Sequence, residues 1–177
     1  MSAPAIEPRA YSRLSVALHW LMLALLVAVY ATILLRHEYP RGSEIREALK
    51  AWHFSLGLSV FGLVLVRAAA RWLHRPTHGG GFAARMAGLM HLALYAFMIA
   101  MPLMGWVILS AEGDPVRLFG LPLPPLVAPD EALAGRVEDV HEAVGTVGYW
   151  LVGLHAVAAL FHHHVLRDGT LKRMTAW

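Results

Sequence analysis

The sequence predicts an all-α integral membrane protein, a four-helix bundle with both termini cytoplasmic, and three observations carry that prediction. Of the 177 residues, 58% are hydrophobic and 15% are charged, where an average soluble domain has roughly 25% charged residues. Apolar residues gather in four blocks, each at or above the roughly 20 residues a helix needs to cross the hydrocarbon. Lysine and arginine fall mainly in alternate connecting segments.

In chain order the spans are expected at about 15–35, 52–72, 86–109 and 140–166, forming one transmembrane domain over residues 1–177. The first block runs on into more membrane sequence with no small-residue cleavage site, so it reads as a span and not as a removable signal. Pro102 falls inside the third block, where a membrane helix tolerates it. Residues 1–14 read as a short polar tail, and "LHRPTHGGGFAAR" at 73–85 as a flexible turn with three consecutive glycines. The loop at 110–139 is the longest and carries five prolines, which favours an extended cap over one end of the bundle.

Orientation follows from the cations. The N-terminal tail, second loop and C-terminal tail hold Arg9, Arg13, Arg67, Arg71, Arg75, Arg85, Arg167, Lys172 and Arg173 against Glu7 and Asp168. The first and third loops hold Arg36, Arg41, Arg46, Lys50, Arg117 and Arg136 against ten acids. The basic segments belong inside. The net charge of +3 comes from this belt and not from a basic soluble domain, so nucleic acid is not an expected partner; membrane lipid is. The chain has no cysteine, which removes disulfides, thiolate metal sites, cysteine-held iron–sulfur clusters and covalent c-type haem.

Five histidines fall within or at the edge of the apolar blocks: His19, His53, His91, His141 and His155. An imidazole in a bilayer is costly unless it is satisfied, and a carbonyl on a neighbouring helix can satisfy it. Their spacing argues for more. His141 and His155 are 14 residues apart, about four helical turns and a rise of about 21 Å, so they share a face near opposite ends of one span. His19 enters its helix from inside and His53 from outside, which pairs His19 with His155 at the inner level and His53 with His141 at the outer level.

A zinc ion would require further Cys, Asp or Glu ligands, and the outer level offers Glu142 alone, on another helix face. Two axial imidazoles suit a haem iron whose macrocycle supplies the equatorial nitrogens. Gly57 and Gly145 each follow an outer histidine by four residues, giving bare backbone one turn deeper. His91 could replace an inner ligand or donate protons. His162, seven residues after His155, shares its face, so His91 and His162 are candidates for a quinone contact or proton relay. Arg67 and Arg71, one turn apart at the inner end of the second span, are candidates for haem propionate or quinone contacts.

The segments "YSRLSVALHW", "WHFSLGLSVFGLVLVRAAARW", "HLALYAFMIAMPLMGW" and "WLVGLHAVAALFHHHVLRDGTLKRM", in this order, resemble the prokaryotic cytochrome b561 family from about Tyr11 to Met174. The resemblance implies two non-covalent b haems with His19, His53, His141 and His155 on the irons, in a bacterial inner membrane protein. It also implies an activity, oxidation of superoxide at the outer face with delivery of electrons to ubiquinone. Superoxide is an anion, so Arg36, Arg41, Arg46 and Lys50 are the residues expected to form a basic funnel beside His53, in loops otherwise net acidic. The alternative is an electron-transfer subunit serving a hydrogenase or other dehydrogenase as redox protein partner. A haem-free transporter or assembly factor is the reading from a third class.

Overall fold

A computed structural model describes residues 12–73, 81–169 and 171–175. Four long helices dominate: α1 (Arg13–Arg36), α2 (Glu44–Leu73), α3 (Phe82–Glu112) and α4 (Glu131–Phe161). Each is long and apolar enough to cross a membrane. The tail and glycine turn expected from the sequence fall largely at residues 1–11 and 74–80, outside the described residues.

Local chemistry sets the helix ends. The Ser12 hydroxyl accepts the Ser15 N–H at the start of α1, and the Asp130 carboxylate accepts the Leu133 N–H at the start of α4. Ser43 does the same for Arg46 at the start of α2, whose first turn carries Glu44 and Glu47. α3 stops at Gly113, whose φ of 76° only glycine adopts cheaply; the N–H groups of Gly113 and Asp114 close back on Ser110 and Leu109. Pro102 is buried within α3 and does not end it.

Both α2 and α4 begin earlier than the apolar blocks, at Glu44 and Glu131 in place of about 52 and 140. Residues 131–139, read from sequence as loop, are helix, because capping and backbone hydrogen bonds carry a helix past the point where its side chains turn polar. The connection that remains, 113–130, is a cap containing a short antiparallel hairpin of β1 (Arg117–Leu118) and β2 (Leu121–Pro122). Two buried hydroxyls staple it down: Ser55 accepts the Phe119 N–H at 3.1 Å and Ser110 accepts the Leu126 N–H at 3.0 Å. The Trp106 indole donates to the Pro124 carbonyl, and Trp52 meets the Phe119 ring edge-on.

The core is a cluster of Met22, Val60, Val64, Leu94, Phe97 and Met98. Large apolar side chains such as Val66, Leu92, Val147, Leu154 and Val157 point outward, and Trp150 is 79% exposed. Such a surface is stable in lipid and not in water. Close backbone approaches pair α1 with α2 and α3 with α4, with α2 on α3 joining the two hairpins. α1 and α4 meet mainly through side chains. At mid-bundle the Tyr30 and Tyr149 rings lie 4.2 Å apart, and the Tyr30 hydroxyl donates to the Gly145 carbonyl at 2.8 Å. Gly148 is required there, since a Cβ would overlap Tyr30 Oη and the Phe97 ring.

Beyond α4 the helix widens into a π turn (His162–Leu166) and reverses at Arg167, φ 52°. A short α5 (Lys172–Thr175) returns to the bundle, where the Trp20 indole donates to the Met174 carbonyl.

Candidate functional site: two histidine pairs

The structure brings together the four histidines whose depths matched in the sequence. At the cap end, His53 of α2 and His141 of α4 have ring centroids 6.4 Å apart and planes at 73°. At the end bearing both termini, His19 of α1 and His155 of α4 are 6.3 Å apart at 71°.

These separations can be tested against chemistry. A metal–imidazole bond is about 2.0 to 2.1 Å and a five-membered ring has a radius of about 1.15 Å, so an imidazole–metal–imidazole axis needs ring centres about 6.4 Å apart. Both pairs fit. Among the described residues no three His, Cys, Asp or Glu side chains converge as a metal site, so a metal at either pair would have to bring further ligands of its own. Haem meets that requirement.

Polar atoms around the pairs point the same way. His53 Nδ1 lies 2.9 Å from the Val29 carbonyl, which fixes the proton on Nδ1 and leaves Nε2 as a donor to a metal. His141 Nδ1 is buried near the Met101 carbonyl but outside hydrogen-bond geometry. A Cβ at Gly105 would rest 3.7 Å from the His141 ring, and one at Gly57 would touch nothing within 4 Å. At the other end Arg67 lies within electrostatic reach of His19, His91 and His155, and its Nη1 is buried with no hydrogen-bond partner. A buried donor of this kind calls for an acceptor, and a carboxylate such as a haem propionate is one. Arg71 is within electrostatic reach of His91.

His91 stands beside His155, with ring centroids 5.7 Å apart, and its Nδ1 is 2.6 Å from the Ala87 carbonyl. His162 lies in the π turn and its Nδ1 pairs with the Asp168 carboxylate, a partner that helix periodicity could not indicate because the chain reverses between them. The basic funnel is more constrained than the sequence implied. Lys50 is held by Asp114 at 3.0 Å and Glu112 at 3.3 Å, and Arg46 donates to the Arg36 and Tyr39 carbonyls. Arg36 remains within electrostatic reach of His53, with a buried Nε that lacks a hydrogen-bond partner. A cleft of about 590 Å³ lies in the cap, lined by Ser110, Asp114, Val116 and Pro129 among others, and includes none of the histidines.

A membrane-spanning bundle with a pair of facing imidazoles near each end defines a class, the membrane b-type cytochromes. The chain belongs to the prokaryotic cytochrome b561 family, whose profile matches residues 10–177. It is 31% identical over 170 residues to cytochrome b561 homolog 1 of Escherichia coli K12, covering 93% of this chain and 96% of that one. It is 34% identical over 169 residues to a probable superoxide oxidase CybB of Yersinia pestis, covering 93% and 94%. Cytochrome b561 homolog 2 of Escherichia coli K12 is 28% identical over 178 residues, covering 94% and 92%. The protein is thus a multi-pass membrane oxidoreductase of the b-type cytochrome kind, and its family binds b-type haem.

Proposed function

We propose that this chain carries electrons across the bacterial inner membrane from the cap face to ubiquinone, with superoxide as the donor. The observation that carries the reading is the pair of histidine pairs, one at each end of the bundle, each with the ring separation that a six-coordinate iron needs. The similarity to a probable superoxide oxidase supports the choice of donor.

In this reading His53 and His141 hold the outer haem and His19 and His155 the inner one, both termini are cytoplasmic, and the cap is periplasmic. A haem held between two imidazoles would supply one-electron chemistry suited to electron transfer and not to oxygen binding. Two superoxide anions each lose one electron and leave as dioxygen; ubiquinone takes both electrons with two protons and leaves as quinol. The protein's residues position and protect. Val29 fixes His53, Tyr30, Phe97 and Gly148 pack the space between the levels, and Arg67 offers a charge to a propionate. Arg71, His91 and His162 lie toward the end where quinone is reduced, and His162, paired with Asp168, is placed to pass protons.

The test is a reduced-minus-oxidised spectrum of the purified protein, followed by a superoxide source and then a soluble quinone in the same cuvette. Two b haems that reduce with superoxide and reoxidise with quinone are expected. Haems unmoved by superoxide would favour the electron-transfer subunit, for which the exposed acids Glu131, Glu138, Asp139 and Glu142 at the cap end would form a docking rim for a redox protein.

A further inference from the structure

We propose that His91 orients His155: it accepts the proton of the His155 ring nitrogen that faces away from the metal, and so sets the potential of the haem at the termini-bearing end. This rests on the reading of His19 and His155 as ligands. It assigns His91 a positioning role, neither iron ligand nor quinone contact.

A metal-bound histidine keeps a proton on its other nitrogen, and that N–H almost always meets an acceptor that fixes the ring and raises its basicity. For His53 the acceptor is the Val29 carbonyl. No carbonyl plays that part for His155 among the described hydrogen bonds; of the polar groups around it, Arg67 cannot accept a proton and His19 shares the metal, which leaves the His91 ring, 5.7 Å away and inclined at 74°. His91 is prepared for the role. Its Nδ1 is committed to the Ala87 carbonyl at 2.6 Å, so Nδ1 carries the proton and Nε2 is left as an acceptor.

The distances separate this role from ligation. Ring centres joined through a metal stand about 6.4 Å apart, and ring centres joined by a direct N–H···N bond about 5.2 Å apart. The His19–His155 separation of 6.3 Å meets the first value, while 5.7 Å for His91–His155 lies nearer the second. His155 has two nitrogens and two imidazole neighbours. With Nε2 turned to the metal shared with His19, Nδ1 would serve His91, and the bond requires the two ring centres to approach by about 0.5 Å from their 5.7 Å separation.

The test uses the purified, haem-loaded full chain and two variants, His91→Leu, which removes the acceptor, and His91→Gln, which offers an amide oxygen. Haem per chain, an optical redox titration and the electron paramagnetic resonance of the ferric haems are measured; His53→Ala and His155→Ala assign the two steps. His91→Leu is expected to keep both haems and to shift the midpoint of the His19–His155 haem upward, because a less electron-rich ligand stabilises ferric iron less. The ferric signal of that haem alone should change, and His91→Gln should return both readouts part of the way. Unchanged midpoint and resonance in His91→Leu would overturn the proposal, as would loss of that haem in both variants, which would make His91 a ligand. If His155→Ala retained the haem, the ligand reading itself would have failed.

Discussion

The rings of His53 and His141 stand 6.4 Å apart across two helices that are not sequence neighbours, and His53 is anchored from a third by the Val29 carbonyl. The pair is built from α1, α2 and α4 together, so it depends on three of the four helices packing in register. Replacing either ring should have the same result. His53→Ala and His141→Ala are each expected to lose the same one of two haems and to keep the other, measured as haem per chain and by the difference spectrum. If both variants kept two haems, the pairing would be wrong.

Gly148 tests the packing between the levels. An added methyl meets Tyr30 Oη and the Phe97 ring, which is buried with 8% exposure, and overpacking of this kind costs about 1–3 kcal/mol. Gly148→Ala should lower the midpoint of thermal unfolding in detergent, and adding Phe97→Leu should recover part of the loss. A Gly148→Ala protein as stable as the parent would sink this account.

Ser55 is 5% exposed and its hydroxyl accepts the Phe119 N–H. Ser55→Ala leaves that N–H without its partner, at about 1–3 kcal/mol if water cannot reach it. The cap should then be cut faster by a protease added from the cap side, with the four helices intact. Equal cleavage rates for parent and variant would show that the cap is held elsewhere.

Arg67 carries a buried nitrogen without a hydrogen-bond partner beside the His19–His155 pair. If a propionate completes it, Arg67→Met should release that haem faster to an acceptor apoprotein. The midpoint of that haem should also fall, because a nearby cation favours the reduced form, with Arg67→Lys intermediate. A variant that holds the haem as tightly and at the same potential would assign the guanidinium to another anion.

Much of the fold was legible because hydrocarbon imposes its length and polarity directly on the sequence. Four apolar blocks became four helices, and helix periodicity with alternating direction was enough to match His19 to His155 and His53 to His141. What stayed hidden depended on other forces. The extensions of α2 to Glu44 and α4 to Glu131 are set by capping and backbone hydrogen bonds, which polarity does not report. The cap's hairpin and its contacts with Ser55 and Ser110 come from residues far apart in sequence. Lys50 looked like a free cation until the end of α3 brought Glu112 and Asp114 to it. Such exposed pairs contribute about 0–1 kcal/mol, so they shape the local field more than the stability.

The close contact at Gly148 also bears on how the protein is assembled. Tyr30 and Phe97 pack against the bare backbone of Gly148 between the two histidine pairs. If each pair holds a haem, as proposed, a macrocycle crossing from one pair to the other would have to displace these rings, so each haem would enter at its own end or before the helices close. Biogenesis would then involve two separate loading events, and a chain filled at one end only would be the expected intermediate on the way to the finished protein.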